Sequence, residues 1–188
     1  MRNIFLTLLI LLFGISGCST MTATEKEQKR SELDQMASTA IAALTDKDPE
    51  IQVKINNSLA YAVANMKLTK VPIVGVGGGE GVFIDNSTQH RTYFTVSRFD
   101  VGGGWGARSF KLLFIVESQE VFDRVIDGTW NFQAGAEASA GTASAEGSSS
   151  DLANKGFTTY VLSDGGASAT VTVRVIRTSV NRELTEQP

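Results

Sequence analysis

The chain has 188 residues, with 17 Lys and Arg against 20 Asp and Glu, a formal net charge of -3, one His and one Cys. That length suits one domain with a real core, and the mild acidity argues against a general nucleic-acid binder, which needs clustered Lys and Arg for phosphate contacts. A single cysteine cannot form an internal disulfide, and a lone His90 between Gln89 and Arg91 lacks the companions of a metal centre or a catalytic triad.

Met1 to Gly17 reads as a secretory leader, with one charge at Arg2, an apolar run from Ile4 to Phe13, then small residues. It is too short to span a bilayer comfortably. The Ile15-Ser16-Gly17-Cys18 segment resembles the bacterial lipobox. That resemblance implies a diacylglyceryl-modified Cys18 as the mature N-terminus, with several acyl chains such as palmitate each anchoring at about 0.8 kcal/mol per buried methylene. A plain signal peptide with a chance cysteine is the alternative. Ser19, rather than Asp, after the cysteine resembles the signal for sorting to the periplasmic face of the outer membrane.

Residues 18–24 form a polar tether. Thr24 and Glu27 have the spacing of a capping box, and Leu33, Met36, Ala37, Ala40, Ile41 and Leu44 recur at helical spacing, which predicts an amphipathic helix from about Glu25 to Thr45. Its stripe is read as packing on the domain; lying on a membrane is the rival reading. Asp48, Pro49 and Glu50 then open a second helix, whose periodic Ile51, Ile55, Leu59, Ala62, Val63 and Met66 carry it to about Lys67.

From Pro72 the period becomes two. Gly81–Asp85 and Arg91–Ser97 read as a hairpin, and Lys111–Val116 as a strand covered on both faces. Ser118 caps a short helix that turns Val121, Phe122, Val125 and Ile126 inward and stops at Gly128. Trp130–Ala140 alternates with small residues, Glu146–Lys155 reads as a loop, and strands Phe157–Leu162 and Ala167–Ile176 are joined by the turn Ser163-Asp164-Gly165-Gly166. The tail after Asn181 is polar and expected to fray. The sum is one α+β domain over 25–188: two N-terminal helices packed on a strongly curved, mainly antiparallel, barrel-like sheet with one inserted short helix.

The GVGGGEG run at Gly75–Gly81 invites a phosphate-loop reading, but Glu80 stands where a third glycine is needed, neither glycine run opens a helix, and a Walker lysine is missing. No nucleotide is expected; the glycines serve bends and close backbone packing. The carboxylates Glu80, Asp85, Asp123 and Asp127 suggest no pair forced to different pKa values, so no enzyme and no cofactor is expected. The remaining candidates are the basic residues Lys67, Lys70, Arg91, Arg98 and Arg108, which, if they share a face, could meet anionic lipid head groups at about 1 kcal/mol each. The bland account of each is edge-strand charge.

The order GVGGGEGVFIDN, RTYF, DVGGGWGARSFKLLFIVES, VFDRVIDGTWNFQAGAEASA and YVLSDGGASATVTV resembles the SYLF domain family over roughly Ser58–Val180. The resemblance implies a non-catalytic lipid-binding module, here an acyl-anchored envelope lipoprotein docking on anionic phospholipid. Eukaryotic members are similar domains that bind phosphoinositides and bundle actin. The alternative is an envelope protein that binds a protein partner, for example through the small-residue strand Ala134–Gly141, with lipid serving only as tether.

Overall fold

A computed structural model describes residues 21–127, 131–134, 137–140, 143–145 and 156–186, with backbone alone at 102–104, 108, 131–145 and 164–176. Helix α1, Ala23–Lys47, starts two residues before the expected point. Thr22 is its N-cap, accepting from the Glu25 amide while the Glu25 carboxylate accepts from the Thr22 amide at 2.7 Å. The capping box is therefore Thr22 with Glu25, not Thr24 with Glu27. Its stripe of Leu33, Ala37, Ala40 and Leu44 is buried against the sheet, as the packing reading required.

Helix α2 is shorter than its periodicity suggested, spanning Glu50–Asn57. Its N-cap is Pro49, and Asp48, one residue earlier, accepts from the Glu50 amide at 3.0 Å. Residues 58–67, expected to continue the helix, instead enter strand β1, Ala60–Lys70. Two periods were superimposed there: Ile55, Leu59, Ala62 and Met66 have helical spacing, but Ala60, Ala62, Ala64, Met66 and Leu68 alternate and are buried. The strand wins because both of its edges find partners, β2 on one side and β3 on the other, as backbone polar groups in an interior must.

Strand β2, Val74–Asp85, and strand β3, Arg91–Val116, form the expected hairpin, but β3 runs 26 residues without a break. The first half of β3 pairs with β2 and the second half with β1, so β3 doubles back over the β1–β2 hairpin at its glycine-rich middle. Gly106, with φ 141°, sits in that bend. The run in β2 allows the strands to close up: a Cβ at Gly81 would overlap the Val63 carbonyl and the Phe94 ring. Mid-strand glycines let the backbones approach closely here.

Helix α3, Gln119–Ile126, is capped by Ser118 as expected. It buries Val121 and packs Phe122 and Val125 on the sheet, but leaves Ile126 exposed. The strands β4 (Asn131–Ala134), β5 (Glu137–Ala140) and β6 (Ala143–Ala145) follow, β4 and β5 pairing with β7, Phe157–Val180. Strand β7 continues through Ser163–Gly166, so that segment is not a hairpin turn. Ser109 faces Gly165 and Phe110 faces Ser163, which makes Asp164 the extra residue of a bulge. Gly128, Trp130 and the expected loop Glu146–Lys155 lie outside the described residues, as do the leader and Cys18.

As far as Glu186 the tail is docked rather than frayed. Helix α4, Arg182–Thr185, buries Leu184 in the core, and Arg30 of α1 donates to the Leu184 carbonyl at 2.7 Å and to the Glu186 carbonyl at 3.1 Å. Thr185 accepts from the Tyr93 amide at 3.1 Å. The result is the α+β architecture expected, two helices on a mainly antiparallel sheet with one inserted helix. The curvature is strong, but the sheet path from β1 through β2, β3, β7 and β5 to β6 stays open.

Candidate functional site

Register across β1, β2 and β3 divides the outer face of the sheet into three bands. The first contains Tyr61 and Val63, Val82 and Ile84, Tyr93, Leu113 and Ile115, and it is covered by α1, α2 and α4. A polar belt follows: Asn65 and Lys67 on β1, Gly78 and Glu80 on β2, Thr95 and Ser97 on β3. Lys29 of α1 pairs with Glu80 at 2.6 Å, marking where the helix cover stops.

Beyond the belt the face turns apolar again, and none of the described helices lies above it. Val76 lies opposite Phe99 and Val74 opposite Val101. Val71 and Val74 exchange backbone hydrogen bonds of 2.9 and 3.2 Å around the turn Pro72-Ile73. Turns ordinarily carry Gly, Asn or Asp because those residues suit the backbone and water; this one presents Ile73, which is 69% exposed. Val71 at 59%, Val76 at 57% and Trp105 at 75% are exposed at the same end of the sheet as Val74, Phe99 and Val101, since register sets Lys70 opposite Gly106 and Val74 opposite Val101. Scattered exposed apolar residues need no explanation, but a contiguous patch rimmed by polar residues marks an interaction surface.

The inner face of the same end is charged. Arg98 and Asp100 are 5% and 0% exposed and form a two-pronged pair, Nε to Oδ1 and Nη2 to Oδ2 both at 2.8 Å. Lys70, 3% exposed, lies one strand away, across Gly75 from Asp100. The arrangement inverts the rest of the fold, with apolar side chains outside and charges inside.

The four basic candidates whose side chains are described therefore do not share a surface. Lys67 is exposed in the polar belt beside the tip. Lys70 and Arg98 are buried, because even positions of β1 and of the part of β3 that pairs with β2 point into the fold. Arg91 stands at the helix-covered end, with Nε 3.4 Å from Asp34. The backbone of Arg108 pairs with Leu68, and its side chain lies outside what the structure describes. Among the described side chains a common basic face is thus not formed, and the apolar tip is the feature that sequence reasoning missed. Its signal was Pro72-Ile73 between two apolar strand ends, which reads equally well as core.

The carboxylates also stand apart. Glu80 pairs with Lys29, Asp85 accepts from Ser87 and Thr88 to hold the β2–β3 turn, and Asp123 accepts from Gln119 at 2.8 Å. Among the described residues no three His, Cys, Asp or Glu side chains gather as metal ligands would. A groove of about 680 Å³ runs along α1 between Asp34 and Asp46, above Tyr61 and Ile84. At its mouth Asp34 is engaged by Arg91 and by the Tyr93 hydroxyl, 3.3 Å away. Burial first, then the Asp34 charge and hydrogen bond, push the Tyr93 phenol up to about 12.

No protein-family model matches the chain. It is similar to Beta cell expansion factor A of Aeromonas veronii, with 21% identity over 160 residues, covering 85% of this chain. The chain spans 60% of the length of that relative.

Proposed function

We propose that this chain is a non-catalytic lipid-binding module of the SYLF type, held in the bacterial envelope by an acylated Cys18 and docking its domain on anionic phospholipid. The observation that carries the reading is the apolar tip of Val71, Ile73, Val74, Val76, Phe99, Val101 and Trp105, bordered by a polar belt with Lys67 exposed in it. A surface banded in this way suits a membrane: the tip enters the acyl boundary while the belt remains at head-group depth, as interfacial segments do. Each Val, Ile or Phe side chain fully removed from water contributes about 1.5–3 kcal/mol, whereas Lys67 adds about 1 kcal/mol at an anionic surface. The tip is therefore the main source of affinity and the basic residue a bias among lipids, which reverses the weighting expected from sequence.

The acyl anchor and the tip act together. Lipid chains on Cys18 hold the domain at the surface, so a weak tip contact is made at high effective concentration. The lipobox-like Ile15–Cys18 segment supports the anchor, and Ser19 supports placement at the outer membrane.

The test uses a chain beginning at Ser19, which keeps every described element, mixed with phosphatidylglycerol or phosphatidylcholine vesicles and floated. It should float with both and more strongly with phosphatidylglycerol. The double variant Ile73→Ser, Trp105→Ser should stay at the bottom while melting at the same temperature. Flotation unchanged in that variant would sink the reading, and capture of an envelope protein by the same tip without vesicle binding would favour the tether-only alternative.

A further inference from the structure

The groove at the covered end lies between α1, α2 and a floor of strand residues, and its volume of about 680 Å³ is in the range of sites that enclose small ligands. Asp34 and Asp46 mark its ends on α1, twelve positions and therefore about 18 Å apart. Between them Ile41, Ile55 and Ile84 supply apolar wall and floor. The Asp34 end is rich in donors. Arg91, 48% exposed, meets Asp34 through Nε, and its two terminal nitrogens have no hydrogen-bond partner among the described residues. Tyr93 donates to the same Asp34 carboxylate. The Tyr61 hydroxyl also has no described partner and is open to the groove; burial pushes its phenol up, against a smaller downward pull from Arg91, so it remains a neutral donor. The Asp46 end has the opposite character. Its carboxylate is exposed, without an ion pair or hydrogen bond among the described residues, and it stands in the last turn of α1, where the helix dipole also favours a cation. On the wall beside it, Thr45 has a hydroxyl with no partner.

We infer that this groove binds one short extended peptide of about five residues, with its N-terminal ammonium at Asp46 and its C-terminal carboxylate at Arg91 and Tyr61. Asp34 is already offset by Arg91 Nε and the Tyr93 hydroxyl, so the unmatched groups are a guanidinium fork with a phenol at one end and a carboxylate at the other. A fork with a second donor suits a carboxylate, and Asp46 suits an ammonium. An extended chain advances about 3.3–3.6 Å per residue, so five residues span the groove from end to end. Alternate side chains of such a chain share one face, and apolar ones there lie on Ile41, Ile55 and Ile84. A simple amine or a simple acid would satisfy one end only. The site does not depend on the membrane reading, because the apolar tip is at the opposite end of the sheet.

The experiment is calorimetric titration of the full chain, in neutral detergent, with the peptide Ala-Leu-Ala-Leu-Ala in three forms: unmodified, N-acetylated and C-amidated. The unmodified peptide should bind saturably below about 1 mM. Acetylation, which removes the ammonium, and amidation, which removes the carboxylate, should each weaken binding about tenfold. Asp46→Asn should erase the acetylation penalty and keep the amidation penalty, and Arg91→Gln should do the converse. Tyr61→Phe should shrink the amidation penalty without erasing it. The site is overturned if the unmodified peptide shows no binding, if both blocked forms bind as tightly as the unmodified one, or if both penalties survive both substitutions. Asp46 and the Arg91 pair are exposed, so these variants should fold; if either does not, the three peptide forms on wild type decide. The Ile73→Ser, Trp105→Ser variant should bind the peptide as wild type does, which separates failure here from failure of vesicle binding.

Discussion

One end of the outer sheet face carries Val63, Val82, Ile84 and Leu113, and the other carries Val74, Val76, Phe99 and Val101, side chains of the same chemistry in the same strands. The first set is covered by α1, α2 and α4; the second is exposed. The inner face shows the reverse contrast, with Phe83, Phe114 and Phe157 packed together under the helical end and Arg98, Asp100 and Lys70 buried at the tip. The difference teaches that hydrophobicity alone did not decide burial here. Coverage did, and coverage stops where Lys29 meets Glu80. Local departures from the rule of apolar inside and charged outside are where function is expected.

The sharpest way to break that contrast is at the buried charges. Asp100→Ala would leave Arg98 without its two-pronged partner beside an already unpaired Lys70, and removing one member of a buried pair costs about 3–5 kcal/mol. Urea unfolding should show a large fall in midpoint at unchanged slope; a fall no larger than that of a surface substitution would mean the charges are not held as described. At the covered end, Leu184→Ala removes a fully buried side chain and should cost about 2–5 kcal/mol. A near-neutral result there would mean that α4 does not belong to the core.

The alkaline limb sharpens the same comparison, because Tyr93 is at the covered end. Its phenol is held neutral up to about 12, so its contribution to stability is complete below the unfolded value near 10 and is lost as pH rises from there through 12. Denaturant midpoints should fall over that window, and the fall should be shallower in Tyr93→Phe. The smallest effect belongs to the tip: Ile73→Ser should change stability by no more than about 0.5 kcal/mol, since the side chain already faces water. Loss of several degrees in Tm would show that the tip is buried in the working protein.

Much of the fold could be read from residues close together in sequence. The stripe from Leu33 to Leu44 is long and periodic enough to name α1, Ser118 marks the start of α3, and the Asp85–His90 turn separates the β2–β3 hairpin. Misreadings arose where two patterns overlapped or where a local signal was overruled. Residues 60–66 satisfied both helical and strand spacing until the edges of β2 and β3 claimed them. Asp164-Gly165-Gly166 has turn chemistry, yet the long partner strand β3 keeps β7 running and leaves only a bulge. The polar tail is anchored by one leucine and by Arg30, a contact across the length of the chain that no window of sequence contains.

What the sequence by itself determined is the inventory: helices near the N-terminus, glycine-rich strands, and scattered cations whose sharing of a face it left open. These follow from local spacing and composition, which act over a few residues. Only the tertiary structure decided which apolar residues remain in water and which charges do not. Alternation assigns residues to opposite sides of a strand, but which side is covered, and how far along, depends on where α1 and the bend in β3 come to rest. That is a property of distant segments meeting, and it is what converts ordinary valines, a tryptophan and a lysine into a candidate site.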